Sequence, residues 1–181
     1  MFREDGLTKP VAVGNATTTA LRAVVAVSGS PKAPEPASAD GMTISRKYFT
    51  QGGEPVDPTT VKQNTRLVVV LEAGPANKDR AGNYLLVDQL PAGFEIENPN
   101  LVGASGSGNL PWLTDITSVT HAEFRDDRFV AAFSDQVAKV AYTVRAVAPG
   151  TYVQPGATVE DMYRPSFNAR LATGTVTVTD K

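Results

Sequence analysis

The chain has 181 residues, a net charge of −2 and no cysteine. The lack of cysteine excludes disulfides, a thiol nucleophile and a zinc–thiolate site. Lysine and arginine are spread singly among the acidic residues, which disfavours nucleic acid or an anionic membrane as a partner. No apolar run approaches the ~20 residues of a membrane-spanning helix, and residues 1–20 lack the apolar core of a secretion signal.

Residues 1–40 are predicted to contain an N-terminal strand followed by a proline-rich linker. The strand is expected over Leu21–Val27, where apolar residues dominate. Three prolines follow between Ser30 and Gly41. Each removes a backbone donor and favours extended backbone in the residue before it, which indicates either a linker or a segment lying along a sheet edge.

Residues 41–181 are predicted to form an antiparallel two-sheet β-sandwich, so the fold class is all-β. Apolar and polar residues alternate with a period of two, which is typical of strands with one buried face. Leu67–Leu71 is instead an unbroken apolar run, as expected for a strand covered on both faces. Roughly nine short strands separated by turn signals favour a sandwich. The side chains predicted to be buried are Val68, Val70, Phe124, Val140, Tyr142 and Val144.

Two connecting segments carry more specific predictions. Asp126 and Asp127 are expected to close a hairpin between Ala122–Phe124 and Phe129–Phe133, because aspartate tolerates the left-handed backbone of tight turns. Leu110–Ile116 is predicted to form a short helix. Trp112, within it, is expected to close the open end of the core and not to bind a ligand.

The residue types that carry catalysis or metal binding are sparse. His121 is the only histidine, and it is interpreted as a surface residue because a general base needs a positioned partner. Gly103–Gly108 is glycine-rich but lacks the endings and spacings of phosphate-binding loops. It is interpreted as a flexible loop. No catalytic, cofactor-binding or metal-binding residue is therefore predicted, and no cofactor.

One short segment is harder to explain as ordinary surface. In Glu160-Asp161-Met162-Tyr163, two large side chains directly follow two charged ones. Apolar residues rimmed by charge are typical of interfaces, although a loop packed against the sandwich has the same pattern. We interpret Glu160, Asp161, Met162 and Tyr163 as a candidate contact site for a partner or a neighbouring domain.

Four segments together resemble the C-terminal part of the bacterial alpha-2-macroglobulins. They are KYFTQGGEPVD at 47–57, LVDQLPAGFEIENP at 86–99, AEFRDDRFVAAF at 122–133 and VRAVAPGTYVQPGATVEDMY at 144–163. The resemblance implies the last macroglobulin-like sandwich of such a chain at 41–181, with 1–40 as the end of the preceding domain.

The resemblance also implies a function. The parent would be a periplasmic protease inhibitor, inner-membrane-anchored, in which this module is non-catalytic and packs against other domains, including a thioester-type domain. Proteases would be partners of the parent, with peptidoglycan-synthesis enzymes as a further implied link. The family's thioester requires a cysteine that this chain lacks. Two alternatives remain: an Ig-like surface or adhesion module, and a sandwich enzyme or sugar-binding domain using His121.

Overall fold

The computed structural model describes residues 12–24, 26, 33–96, 110–134 and 136–180. The chain divides into two compact units, residues 1–31 and 32–181. In the described part of the first unit, Asn15 forms a local turn, with its Oδ1 accepting hydrogen bonds from the backbone N–H and the hydroxyl of Thr17. No strand is found at 21–24 or 26, where Leu21 and Val24 are 68% and 85% exposed. The strand prediction is wrong for these residues, since an isolated strand has no ladder partner to stabilise it.

The second unit consists of β-strands, and the residues described in it contain no helix. Its strands are β1 Ser38–Asp40, β2 Met42–Phe49, β3 Pro55–Val56, β4 Thr60–Lys62, β5 Arg66–Pro75, β6 Asn83–Gln89, β7 Phe94–Ile96, β8 His121–Phe124, β9 Arg128–Ser134, β10 Ala138–Ala146, β11 Gly150–Gln154, β12 Thr158–Asp161, β13 Asn168–Arg170 and β14 Gly174–Thr179. The predicted all-β fold is confirmed.

The strands form three sheets. The six-stranded sheet has the order β1-β13-β12-β6-β9-β8, the five-stranded sheet β3-β2-β5-β10-β7, and the three-stranded sheet β11-β14-β4. Among the described strands, every pairing is antiparallel except that of β14 with β4. β1 and β2 are consecutive but lie in different sheets, and Gly41 between them has a φ of 65°. This left-handed backbone, which glycine adopts without steric cost, allows the chain to turn the corner between the sheets.

The main core lies between the two larger sheets. Tyr84 and Phe129 enter it from the six-stranded sheet, and Leu71 and Tyr142 from the five-stranded sheet. The three-stranded sheet contributes buried valines of β14. Of the six side chains predicted to be buried, five are 5% exposed or less. The exception is Phe124, which is half-buried because β8 is the edge strand of its sheet.

A second, smaller core covers the outer face of the five-stranded sheet. Val68, Val70 and Ala141 lie on that face, beneath Leu110 and Leu113. The segment 110–116 begins with a turn, closed by the hydrogen bond from Leu113 N to Leu110 O, and is otherwise irregular. The predicted helix is wrong, and Asp115 has a φ of 59°, which a right-handed helix cannot contain. Trp112 therefore covers the face of a sheet, whereas the prediction placed it at the open end of the core.

Candidate functional site

Asp161 organises the segment that the sequence singled out. It is the last residue of β12 and is 1% exposed. Its Oδ1 accepts hydrogen bonds from the backbone N–H groups of Tyr163 at 3.0 Å and Arg164 at 3.2 Å. Its Oδ2 lies 2.8 Å from Nε and 2.7 Å from Nη2 of Arg164. Asp161 thus stabilises the turn at residues 162–164 through these hydrogen bonds.

These contacts also set the charge of Asp161. Burial acts to raise the pKa of this carboxyl, but the hydrogen bonds from Tyr163 and Arg164 and the nearby guanidinium outweigh burial, so the pKa lies below its usual value. Asp161 is therefore ionised at neutral pH, and the turn is stabilised by charge-assisted hydrogen bonds, which are stronger than neutral ones.

The turn is fixed to the start of β6 and to the loop that joins β5 to β6. Met162 donates its backbone N–H to Asn83 O at 2.9 Å, and Arg164 Nη2 donates to Ala81 O at 2.7 Å. Behind the turn, the Arg80 guanidinium lies 3.6 Å from the centre of the Phe167 ring, within cation–π distance. The turn and the loop form one end of the sandwich.

The side chains that this end presents are those of Glu160, Met162 and Tyr163. Met162 is 44% exposed and Tyr163 is 80% exposed, and Glu160 is also exposed. The candidate segment therefore separates into three exposed side chains and one buried carboxylate, Asp161, that positions them. We name Glu160, Met162, Tyr163 and Arg164 the end patch.

The remaining candidates lie elsewhere. His121 is exposed on the edge strand β8, on the strand that also carries Glu123, whose carboxylate is 2.6 Å from Arg125. Asp126 and Asp127 lie at the predicted β8–β9 turn, with Phe124 opposite Phe129 in the register. Gly103–Gly108 lies outside the described residues. Among the residues that are described, no group of three or more His, Asp or Glu side chains is placed to bind a metal.

The sequence analysis missed a buried polar network. Asp88 on β6 is fully buried and accepts hydrogen bonds from Arg46 Nη1 at 2.6 Å and the Tyr142 hydroxyl at 2.7 Å. Burial raises the pKa of Asp88, and the Arg46 guanidinium opposes that effect. Arg46 Nη1 also donates to Pro155 O at 3.1 Å. The sequence contains a signal for this network, namely one charged residue on the apolar face of each of two strands. Arg46 lies between Ile44 and Tyr48 on that face of β2, and Asp88 follows Leu86 on that face of β6.

A helix long and apolar enough to cross a membrane is not found among the described residues. The architecture is that of a β-sandwich in which an exposed aromatic side chain lies on a hydrogen-bonded turn. The class of protein that this defines is an all-β sandwich module.

Comparison with known proteins identifies the family. The profile described as "Bacterial Alpha-2-macroglobulin MG10 domain" matches residues 41–166. The alpha-2-macroglobulin of Xylella fastidiosa (strain 9a5c) is 36% identical over 171 residues, covering 87% of this chain and 10% of that protein. The alpha-2-macroglobulin of Escherichia coli (strain K12) is 37% identical over 154 residues, covering 78% of the chain and 9% of that protein.

Solved structures agree with this assignment. Native Escherichia coli alpha-2-macroglobulin, from domain MG7 to the C-terminus, matches with a TM-score of 0.73 and 32% identity, over 83% of this chain and 25% of that one. Salmonella alpha-2-macroglobulin reacted with methylamine gives a TM-score of 0.72 and 34% identity, over 83% and 10%. The chain belongs to the bacterial alpha-2-macroglobulin family, and it spans about a tenth of the length of its Xylella relatives.

Proposed function

We propose that this chain is a non-catalytic packing module of a longer, periplasmic alpha-2-macroglobulin-like protease inhibitor. The family membership and the small share of the relatives' length that it spans support a role inside a larger chain. In this proposal the parent is inner-membrane-anchored, proteases are its targets, and peptidoglycan-synthesis enzymes are a further partner class. The module itself contacts other domains of the parent, including a thioester-type domain.

The observation that carries the proposal is the exposure of Tyr163 on a rigid turn. Because the Tyr163 side chain is 80% exposed, removing it takes nothing away from the module's own core. Aromatic and methionine side chains with a charged rim are enriched among the residues that dominate binding energy. Because Asp161 fixes the turn before any partner arrives, little conformational entropy is lost on contact.

The test is Tyr163→Ala in the full-length parent. We expect this change to loosen the module from its neighbour, because truncation of an anchor typically costs ~2 kcal/mol or more of contact energy. In the native parent, limited proteolysis would report the loosened contact as new cleavage sites, and small-angle scattering would report it as a larger radius of gyration. Val153→Ala is the matched control, since Val153 is 64% exposed on β11, in the three-stranded sheet.

Two outcomes would contradict the proposal. If the Tyr163 variant keeps the wild-type shape and cleavage pattern, Tyr163 is not an anchor. If the isolated variant chain itself unfolds at a lower urea concentration, the side chain supports the fold and its exposure has no docking role. The isolated wild-type chain is expected neither to hydrolyse substrates nor to inhibit a protease.

A further inference from the structure

The edge of β2 that faces away from β5 is paired over only part of its length. β3 pairs with β2 only at Tyr48 and Phe49, whereas β5 pairs with β2 over its whole length. Among the described strands, β5 is the only partner of residues 42–47 of β2. Every second residue along such an edge directs its N–H and C=O away from the sheet, where another strand can pair with them.

Two depressions lie along this edge. One is lined by residues 46–49 together with Val56, Gln154 and Leu171, and has a volume of about 690 Å³. The other is lined by residues 37–39, 42–44 and 169–171, so β1 also borders it. Leu171 lines both depressions, so the two are adjacent, and we name the pair of them the β2 groove.

The floor of the groove is apolar and only partly covered. Ile44, Val56 and Leu171 pack against the main core but remain half-buried. Ile44 faces inward like Met42, which is 1% exposed, yet Ile44 keeps part of its surface open. An added strand with an apolar side chain over Ile44 and Leu171 would complete the burial at this flank.

The charges of the groove are cationic. Its lining includes Arg46, Lys47 and Arg170 and contains no Asp or Glu. Arg46 and Arg170 already contact Asp88 at 2.6 Å and Glu35 at 3.0 Å, so the exposed Lys47 is the cation that an incoming chain would meet. This favours an acidic side chain in the occupant.

The edge strand of the six-stranded sheet differs from β2. β8 ends the six-stranded sheet with His121 and with Glu123, which is paired with Arg125. Charged side chains on an edge strand discourage pairing with another chain. β2 carries no charged residue from Met42 to Ser45, so only its upper end, at Lys47, has such protection.

We propose that the β2 groove binds an extended segment with alternating apolar and acidic side chains, added as a further strand next to residues 43–47, and that this segment belongs to another part of the parent chain. The inference rests on the proposed function in one respect, the existence of that parent. A five-residue strand buries too little surface for a stable complex between separate proteins, which needs ~1,200 Å² or more. A tethered segment, whose effective concentration can reach millimolar, compensates for the weak contact.

The pairing itself is testable with the 181-residue chain. The probe is a synthetic eight-residue peptide that alternates valine and glutamate, titrated by NMR, with a valine–lysine peptide as the matched control. We expect millimolar binding of the acidic peptide, at least fivefold weaker binding of the basic one, and slower exchange of alternate backbone amides within residues 43–47. Equal affinity for both peptides, or binding that leaves those amides unchanged, would overturn strand addition.

Reversing the charge of Lys47 tests where the peptide binds. Amide exchange in the parent tests whether the bound segment belongs to the parent chain. Lys47→Glu is expected to weaken binding of the acidic peptide at least threefold, whereas Lys78→Glu, an exposed lysine in the β5–β6 loop, leaves it unchanged. Alternate amides of residues 43–47 should exchange more slowly in the native parent than in the isolated chain, and equal rates would refute an intramolecular segment. Repeating this comparison with Tyr163→Ala keeps failure of the groove distinct from failure of the end patch.

Discussion

Asp161 shows how a single buried carboxylate can determine what a surface presents. Its two oxygens accept hydrogen bonds from two backbone N–H groups and a guanidinium, and the chain must therefore turn at Met162 and Tyr163. In the sequence, Asp161 was grouped with the contact residues. In the structure it supports them, while the prediction that Glu160, Met162 and Tyr163 make a partner contact stays a prediction.

Asp161→Asn is expected to destabilise the chain by about 1–3 kcal/mol at pH 7, because the amide cannot form the ion pair with Arg164. The folded-state pKa of Asp161 lies below its usual value, so the stabilisation is present above the unfolded-state pKa and is lost as pH falls through the folded-state pKa. Urea unfolding at a series of acidic pH values should show the difference between wild type and variant shrinking.

The control is Asp126→Asn, which changes an exposed carboxylate in the β8–β9 turn and should leave the unfolding midpoint unaltered. A difference between wild type and Asp161→Asn that stays constant down to pH 2 would contradict the assigned role of the charge.

Trp112 connects the segment 110–116 to the β2–β3 turn. Trp112 Nε1 donates to Gln51 O at 2.9 Å, and its ring lies 5.1 Å from that of Phe49. Gly53 has a φ of 92°, and a Cβ there would lie 2.6 Å from Trp112 Cγ. The turn, β2 and the segment 110–116 are thus held together on the outer face of the five-stranded sheet.

Gly53→Ala is expected to cost about 1–3 kcal/mol, because it combines a strained left-handed backbone with a clash against the indole. Gly52→Ala is the matched control. The nearest atom to a Cβ at Gly52 is Thr50 Oγ1 at 3.6 Å, which is ordinary contact. Thermal unfolding and tryptophan fluorescence would measure both variants. Equal stability of the two would mean that Trp112 does not restrain the turn.

The β8–β9 hairpin contains two paired phenylalanines, one on the edge strand and one in the core. Phe124 and Phe129 are opposite in register with ring centres 5.2 Å apart, but only Phe129 is deeply buried, 4.8 Å from the Tyr142 ring. Phe129→Ala should cost about 3–5 kcal/mol and Phe124→Ala about 1–2 kcal/mol, in proportion to the burial lost. Denaturant midpoints that rank the two the other way would show that β8 is part of the core.

At the scale of the whole molecule, the buried polar network joins all three sheets. Arg46 lies on β2 and Tyr142 on β10 in the five-stranded sheet, Asp88 lies on β6 in the six-stranded sheet, and Pro155 directly follows β11 of the three-stranded sheet. Tyr48 accepts a hydrogen bond from Gln154 beside it. A network that crosses every layer restricts how the sheets can shift against one another.

Arg46→Met is expected to destabilise the chain by about 3–5 kcal/mol, because it leaves the Asp88 carboxylate buried without its countercharge. The double variant Arg46→Met with Asp88→Leu removes both charges and should be more stable than Arg46→Met alone. Urea unfolding of wild type and the single and double variants forms the measurement. A double variant as unstable as the sum of its two singles would show that the ion pair is not coupled.

The sequence alone determined the kind of structure, and the tertiary structure decided which surfaces exist. Period-two alternation predicted strands such as β10 and the hairpin at Asp126 and Asp127, because side-chain direction in a strand depends only on local backbone geometry. The pairing of Arg46 with Asp88, the placement of Trp112 over a sheet face and the incomplete edge of β2 depend on residues distant in sequence. Local pattern can mark Arg46 and Asp88 as charges on inward-facing positions, but it cannot say which residues they contact, since those contacts form only when the sheets pack.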